Sequence, residues 1–434
     1  MSSRNAEHHP PPRALIILYF APAHVALALA FAALAIHPQQ FAGFFYQSRM
    51  IASVHLVTLG WITASILGAL YLVAPIALRT SLQTGWPDYA AAVLVWTGII
   101  GMVAHFWIAE YGGMAWSGAT VAAGVLWVAV RLARPLAHAR VPLAIRLHLG
   151  LACLSFASAA TMGVLLGINK THAVLSGSPL AALYGHAHLA AVGWASAIVV
   201  GVGYRLLPMV LPARMPSGAT LYVSALLLQS GAWGLFVTRL LQGRTTWPFA
   251  VAIVGGFAVF LADVVWMFRH QLPRPPAIRT PDPAVLHAAA ALLSLTGACM
   301  IGLRLTTTEM SEPTLRLAMI YGVLGLVGFL AQMVVAMKGR LLPLFAWYWA
   351  FANAGQRGPV PSPHDMPWRP AQYLVVALWW LGVPALAAGL AFGLVALVTT
   401  AAGALLAATI LDSAQAVTIL RHAFVRPPLD GRTS

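Results

Sequence analysis

The amino-acid sequence predicts an all-α polytopic membrane protein with about twelve transmembrane helices in three four-helix pseudo-repeats. Apolar residues make up 60% of the 434 positions and charged residues only 8%, and the mean hydropathy is +0.81. These values are typical of a chain that lies in a lipid bilayer. A soluble protein of this length would contain several domains and far more polar linker.

Twelve apolar stretches are long enough to cross the hydrocarbon core of a bilayer, which takes about 20 helical residues. We expect them to form one integral membrane domain over residues 1–434, with short polar tails at about 1–13 and 421–434. The longest break between spans, at 353–370, is predicted to be a surface loop. The predicted spans cover residues 14–36, 50–76, 89–110, 113–133, 142–168, 183–211, 219–241, 248–268, 284–305, 315–338, 371–393 and 395–418.

The clearest internal repeat is a 21-residue segment at residues 55–75 that recurs at 188–208, with eight identical positions. Shared apolar character alone does not explain so many identities. A weaker third copy at 323–343 keeps Leu324, Gly328 and the ending Arg-Leu-Leu-Pro, but Val323 replaces the histidine. Three copies on twelve helices predict three repeats of four helices, with the copies on the second, sixth and tenth helices.

The distribution of Lys and Arg predicts which side of the membrane each loop faces. With the N-terminus in the cytoplasm, 19 of the 25 basic residues lie on that side, including Lys338 at the end of the tenth span. This positive-inside bias explains the net charge of +15 without nucleic-acid binding. We therefore expect a multi-pass protein of a bacterial-type inner membrane with both termini in the cytoplasm. The six outer residues are Arg49, Lys170, Arg239, Arg244, Arg304 and Arg316.

His55 and His188 are the strongest candidates for a cofactor site, because the repeat places them at equivalent depth in the outer half of the membrane. An imidazole in hydrocarbon is costly without a partner, so an intramembrane pair points to a function. Two neutral imidazoles suit the axial positions of a haem iron, and the repeated glycines would let a macrocycle or a helix come close. The structural alternative is that the glycines serve helix packing and the histidines hydrogen-bond across it.

His186 and His105 are further candidates for metal ligands. Residues two apart on an α-helix are separated by roughly 200° around its axis, so His186 and His188 cannot easily bind one metal together. His186 would then serve a second site, or lie at the membrane interface without a ligand. His105 lies near the outer end of the third span, and His24, in the middle of the first span, is interpreted as a satisfied core histidine.

The motif His-x-His, followed by two glycines and by Pro208 twenty residues past the second histidine, resembles the tenth helix of haem–copper oxidase catalytic subunits. There the two histidines bind two haems, one on each side of the helix. Twelve helices, three-fold pseudosymmetry and a haem-ligating histidine near the outer end of the second helix also match that family. The resemblance implies a divergent member of the haem–copper oxidase subunit I-like superfamily, with haem b as cofactor and copper or a second haem as further candidates.

The chain departs from that family at the residues of the copper site and the proton channels. The His-x-His pair is on the sixth helix, and the tenth carries Tyr321 and Val323 at the equivalent positions. The seventh span, where the family has a histidine pair, has no histidine. The only acids well inside predicted spans are Asp263 and Asp412, with no lysine in mid-span. A proton-pumping oxygen reductase is therefore not expected, and the outline is closer to the haem- and copper-containing membrane proteins linked to nitric oxide metabolism.

The leading hypothesis is a haem b protein that transfers electrons or binds nitric oxide or oxygen, as a component of an oxidoreductase. A redox partner subunit or a cytochrome c-like donor would supply its electrons. Anionic haem propionates need cations on the outer side, and four arginines lie at a suitable depth. These arginines are Arg49, Arg239, Arg244 and Arg304.

Two other classes of function stay open on the sequence alone. A transporter or permease is one, because internal repeats are common in transporters and their binding sites lie at repeat interfaces. A copper-handling or assembly protein is the other, in which the histidines bind copper without haem. The copper ligands would then be His55, His105, His186 and His188.

Overall fold

The computed structural model describes residues 12–43, 45–80, 82–243, 245–274, 280–351 and 362–424. This part of the chain is helical and has no β-strand, and 12 of its helices are long and apolar enough to cross a membrane. The predicted fold class is therefore confirmed. We number the helices α1 (Arg13–Ile36), α2 (Ser48–Ile76), α3 (Trp86–Trp107), α4 (Met114–Ala137), α5 (Leu143–Asn169), α6 (Pro179–Val210), α7 (Thr220–Leu240), α8 (Trp247–Arg269), α9 (Pro283–Leu305), α10 (Glu312–Phe351), α11 (Arg369–Ala391) and α12 (Val395–Phe424).

The predicted spans match these helices in order but differ from them at the ends. The largest difference is in α10, which was expected to end at Lys338 and continues to Phe351 through Pro343. Proline is tolerated inside transmembrane helices because neighbouring groups satisfy the backbone atoms that it frees. Lys338 therefore does not end the span, as was predicted, but lies buried inside α10. α12 likewise runs to Phe424, four residues into the predicted polar tail.

The three helices that carry the sequence repeat change from α-helical to π-helical geometry at the same point of the repeat. The π-helical segments are Leu56–Thr63 in α2, Leu189–Ser196 in α6 and Leu324–Ala331 in α10. They contact one another, and α2 and α6 are the most buried spans, with 83% and 72% of their most apolar stretch enclosed. The three related segments therefore meet at the centre of the molecule.

Two tryptophans that occupy the same repeat position tie these central helices together. The Trp61 Nε1 donates a hydrogen bond of 3.1 Å to the carbonyl oxygen of Ala331, which joins α2 to α10. The Trp194 Nε1 donates a hydrogen bond of 3.3 Å to the Thr63 hydroxyl, and this bond joins α6 to α2. Indole N–H groups buried in protein need such partners, so these bonds help to fix the rotation of each central helix.

The repeated glycines bring each central helix against the first helix of its own repeat. A Cβ atom at Gly60 would lie 2.6 Å from the Cβ of Ala26 on α1. One at Gly193 would lie 2.9 Å from Ser155 on α5, and one at Gly328 would lie 2.6 Å from the hydroxyl of Ser294 on α9. Neighbouring helices therefore fill the space beside Gly60, Gly193 and Gly328, and these three glycines serve helix packing.

The first and last helices close the bundle on one side. The Arg13 guanidinium at the start of α1 donates hydrogen bonds to the carbonyl oxygens of Ala423 at 2.6 Å and Trp349 at 2.9 Å. The start of α1 and the ends of α10 and α12 therefore lie at the same face of the bundle. The part of the predicted 353–370 loop before residue 362 lies outside the described residues, and the rest contains a short 3-10 turn, Pro363–Asp365.

Candidate cofactor site

The candidate ligands lie where the central helices change geometry. His55 is the last α-helical residue before the π-helical segment of α2, and His188 is the last one before that of α6. Val323 occupies the equivalent place in α10. π-Helical turns are rare and occur frequently at functional sites. The histidines therefore lie next to the part of the repeat where the backbone departs from α-helical geometry.

The three candidate imidazoles are held through the same ring nitrogen. The Nδ1 of His55 lies 2.8 Å from the Ile51 carbonyl oxygen, and the Nδ1 of His188 lies 2.8 Å from that of Tyr184. The Nδ1 of His186 lies 2.8 Å from the Ala159 carbonyl oxygen on α5. A carbonyl oxygen only accepts, so Nδ1 carries the proton and Nε2 presents its lone pair. A neutral imidazole oriented in this way is the form that binds a metal ion.

His186 and His188 face different neighbours, as their two-residue spacing predicts. The His186 ring lies against α5, where a Cβ atom at Gly163 would be 3.0 Å from its Cε1. The His188 ring stacks on Tyr321 of α10, with ring centroids 5.8 Å apart and an interplanar angle of 21°. The Tyr321 hydroxyl lies 3.0 Å from His188 Nε2 and donates to it. The two imidazoles therefore belong to different sides of α6.

His55 and His188 occupy the same repeat position but contact different neighbours. The His55 ring stacks on Phe106 of α3, with centroids 5.3 Å apart and an angle of 19°. Neither His55 nor His186 has a hydrogen bond to Nε2 from the described residues, whereas that atom of His188 is engaged by Tyr321. The free lone pairs thus belong to His55 and His186.

His105 lies apart from this group. Its Nδ1 is 2.9 Å from a carboxylate oxygen of Glu110, and the side chain of Glu110 is 57% exposed. The imidazole ring packs over Gly113, where a Cβ atom would come within 2.0 Å of Nε2. Both ring nitrogens therefore face the loop between α3 and α4, and none of the described contacts brings His105 to the other candidate ligands.

The candidate propionate partners differ in how close they lie to the histidines. Arg239, at the end of α7, packs against the part of α6 that carries Tyr184 and His188, since a Cβ atom at Gly185 would lie 3.6 Å from its Cβ. Arg304 is exposed, 3.5 Å from the Thr307 hydroxyl, and Arg49 lies 5.4 Å from the centre of the Trp107 ring. Arg244 is outside the described residues. Arg239 is thus the candidate that the fold brings beside a histidine.

Sequence reasoning missed two features of the interior. Tyr321 was interpreted from the sequence as the loss of a ligand. Tyr321 occupies the repeat position of His186, and this equivalence was the signal that the Tyr321 side chain would face the candidate site. Sequence reasoning also missed a cluster in which Lys338 forms an ion pair with Asp412 and lies 2.8 Å from His24 Nε2. His24 is a satisfied core histidine, as expected, but its partner is a buried charge.

The arrangement of the candidate residues provides one or two imidazole ligands for any single metal ion. The described residues contain no group of three or more His, Cys, Asp or Glu side chains that could hold a metal ion by themselves. A cofactor that supplies most of its own ligands fits such a site better than a bare ion does. No protein-family model matches the chain, and the comparison with curated proteins found no match.

Proposed function

We propose that this chain is a haem b-binding protein of a bacterial-type inner membrane, related to the catalytic subunits of haem–copper oxidases. It would serve electron transfer or the binding of a diatomic gas, nitric oxide or oxygen, as a component of an oxidoreductase. The observation that carries the proposal is the shared orientation of His55, His186 and His188, each with Nδ1 bonded to a carbonyl and Nε2 directed away from it.

Haem suits these residues for a reason of ligand number. A porphyrin provides four nitrogen ligands, so the protein has to supply only one or two imidazoles. When bound, haem would provide an iron that changes its oxidation state or takes a gas ligand. The protein would hold the iron through Nε2 atoms whose direction is set by the carbonyl bonds of Nδ1, and would exclude water with the surrounding helices.

The ligand pair can be chosen in two ways. The repeat favours His55 with His188, at equivalent depth. The hydrogen bonds favour His55 with His186, since the described residues make no hydrogen bond to Nε2 of either, whereas Nε2 of His188 is engaged by Tyr321. We propose the second pair for one haem, and His188 beside Tyr321 and Arg239 as the second site, for copper, a second haem or a gas ligand.

Absorption spectra of the purified protein test this proposal. A Soret band and a reduced-minus-oxidised α-band are expected in the wild type and absent in His55→Ala and His186→Ala. His188→Ala should keep the six-coordinate signal and change only gas binding. His138→Ala is the matched control, because its Nδ1 also bonds the carbonyl four residues back, at 2.9 Å, but at an exposed helix end.

Each other spectral outcome favours another assignment. Loss of the signal in His188→Ala with retention in His186→Ala would restore the pair expected from the repeat. A colourless protein loaded with copper would favour a copper-handling function, and a protein with neither would favour a permease.

We further propose that both termini lie in the cytoplasm and that a redox partner subunit or a cytochrome c-like donor approaches from the outer side. The support is the bias of Lys and Arg between alternate loops. Single cysteines at Arg140 and Ser176, in a background without Cys153 and Cys299, lie at opposite ends of α5. An impermeant reagent should label only position 176 from outside intact cells. Labelling of position 140 alone would invert the topology.

A further inference from the structure

Three charged or titratable side chains meet inside the bundle, away from the cofactor site. The Lys338 ammonium of α10 forms an ion pair with Asp412 of α12 and donates a 2.8 Å hydrogen bond to His24 Nε2 on α1. The His24 Nδ1 in turn donates to the Phe20 carbonyl oxygen at 2.7 Å. The Lys338 and Asp412 side chains are only 5% and 16% exposed, so this cluster is enclosed by protein.

The cluster lies near the middle of the membrane. His24 is eleven residues from Arg13 at the start of α1, which is about 16 Å along a helix that rises 1.5 Å per residue. Asp412 is twelve residues from the end of α12 at Phe424, or about 18 Å, at the same face of the bundle. The hydrocarbon core is about 30 Å thick. Charges at this depth are costly and usually mark a functional site.

A cavity of about 400 Å³ adjoins the cluster, between α1, α2, α6, α8, α10 and α12. Its wall is apolar except for His24, Ser65, Lys338 and Ser413. The Ser65 hydroxyl is buried and has no hydrogen-bond partner among the described residues. A buried hydroxyl without a partner is unfavourable, so Ser65 has an unused donor for a ligand in this cavity.

The cavity is reachable from the lipid. Val25, Ile410 and Val417, which line it, are 58%, 57% and 55% exposed on the outer surface of membrane-spanning helices. In a bilayer such surfaces face acyl chains. The occupant would therefore enter sideways from the membrane interior, where a charged phospholipid head group does not reside.

We propose that this cavity binds the head group of a prenyl quinone. Its volume lies within the range of small-molecule sites, about 300–1,000 Å³, and its few polar groups in an apolar wall are typical of them. Asp412 balances the charge of Lys338, so the site suits an uncharged ring. Lys338 Nζ and Ser65 Oγ are donors for the two carbonyl oxygens of such a ring, and the apolar wall accommodates the tail. Binding at this cavity does not depend on haem at the histidines.

Equilibrium titration of the detergent-purified protein with decylubiquinone, followed by quenching of tryptophan fluorescence, tests the site. Saturable binding is expected in the wild type. Ser65→Ala should raise Kd about fivefold, the effect of one hydrogen bond of about 1 kcal/mol. Ser53→Ala is the matched control, since its hydroxyl is also buried and unpartnered on α2 but lies outside the cavity. Ala69→Phe, which fills the cavity, should abolish saturable binding.

A second experiment alters the charged cluster. The double variant Lys338→Met with Asp412→Leu removes both charges together and should raise Kd at least tenfold. If that variant does not fold, the serine pair and Ala69→Phe decide the question. Equal Kd values in Ser65→Ala, Ser53→Ala and Ala69→Phe would overturn the proposal. So would displacement of the quinone by an equal concentration of palmitate, which would assign the cavity to acyl chains.

Discussion

The third repeat has the same backbone geometry as the first two but differs from them in the chemistry of its side chains. All three pass through a π-helical segment at the same point, and all three pack a glycine against the preceding helix. Only the first two have a histidine before that segment, whereas the third has Val323 there. Packing of small residues at the helix crossings thus preserves the scaffold, while the side chains that face the interior have diverged.

The third repeat also carries a charged side chain that the first two lack. Lys338 of the third repeat stands where the first two have Leu70 and Gly203, and it makes the buried ion pair with Asp412. The first two repeats therefore supply most of the outer candidate site, and the third supplies most of the inner cluster. One scaffold thus holds two polar centres at different depths, and the repeats contribute unequally to them.

The largest expected effect is at the charge unique to the third repeat. Lys338→Met leaves the Asp412 carboxylate buried without its partner, which costs about 3–5 kcal/mol of unfolding free energy. Combining it with Asp412→Leu should restore most of the loss. Thermal unfolding in detergent, read as Tm, measures both.

Arg316→Met on the same helix is the control, because its ion pair with Glu312 is exposed and such pairs contribute about 0–1 kcal/mol. A double variant as unstable as the single one would mean that the pair itself, rather than an uncompensated charge, stabilises α10.

The next effect tests the shared scaffold. Gly328→Ala places a Cβ atom 2.6 Å from the Ser294 hydroxyl, and such overpacking costs about 1–3 kcal/mol. Gly325→Ala, in the same π-helical segment, meets nothing within 4 Å and should leave Tm unchanged or slightly raised. Gly60→Ala and Gly193→Ala should behave as Gly328→Ala does, and a tolerant Gly60 or Gly193 would show that the repeats are not packed alike.

A smaller effect on stability is expected at the contact between the third repeat and the second. Tyr321→Phe removes the hydroxyl that donates to His188 Nε2 at 3.0 Å, a neutral hydrogen bond that contributes about 0.5–1.5 kcal/mol. A double-mutant cycle of Tyr321→Phe with His188→Ala, measured by thermal unfolding, should give a coupling energy in that range. Additive changes in Tm would show that the two side chains do not interact.

The smallest effect concerns two arginines at one repeat position. Arg340 contacts His364 in the loop after α10, 2.9 Å from Nδ1, while Arg205 contacts the Ala77 carbonyl oxygen at 3.0 Å. Burial of the imidazole, and then the charge of Arg340, hold the pKa of His364 below its usual 6.5. The folded state therefore prefers neutral His364, so this contact stabilises above pH 6.5 and weakens as the pH falls below it.

Tm measured between pH 7.5 and pH 5 should fall less in His364→Gln than in the wild type, because glutamine does not titrate. Arg205→Gln should leave the pH profile unchanged. A wild-type profile identical to that of His364→Gln would contradict the assignment of this titration to the third repeat.

The residue types of the candidate site and their depth could be predicted from the sequence, but the neighbours that each imidazole ring contacts could not. Repeat spacing places His55 and His188 at one level of the membrane, since each helical residue advances a fixed distance along the axis. It does not specify which neighbour a ring faces, because that depends on the rotation of each helix in the packed bundle. The π-helical segments and the bonds of Trp61 and Trp194 help to set that rotation, which places His186 against α5 and His188 against Tyr321.

The sequence by itself determined the membrane environment, the twelve helices and the three-fold repeat, because apolar length and repeated residues are local properties of the chain. The tertiary structure alone decided that Lys338 is an interior charge. Its flanking Arg340 and Pro343 resemble the end of a span, and only the contacts with Asp412 and His24, from helices far away in sequence, compensate the cost of burying it. Such compensation is a property of the folded bundle and leaves no trace in local hydropathy.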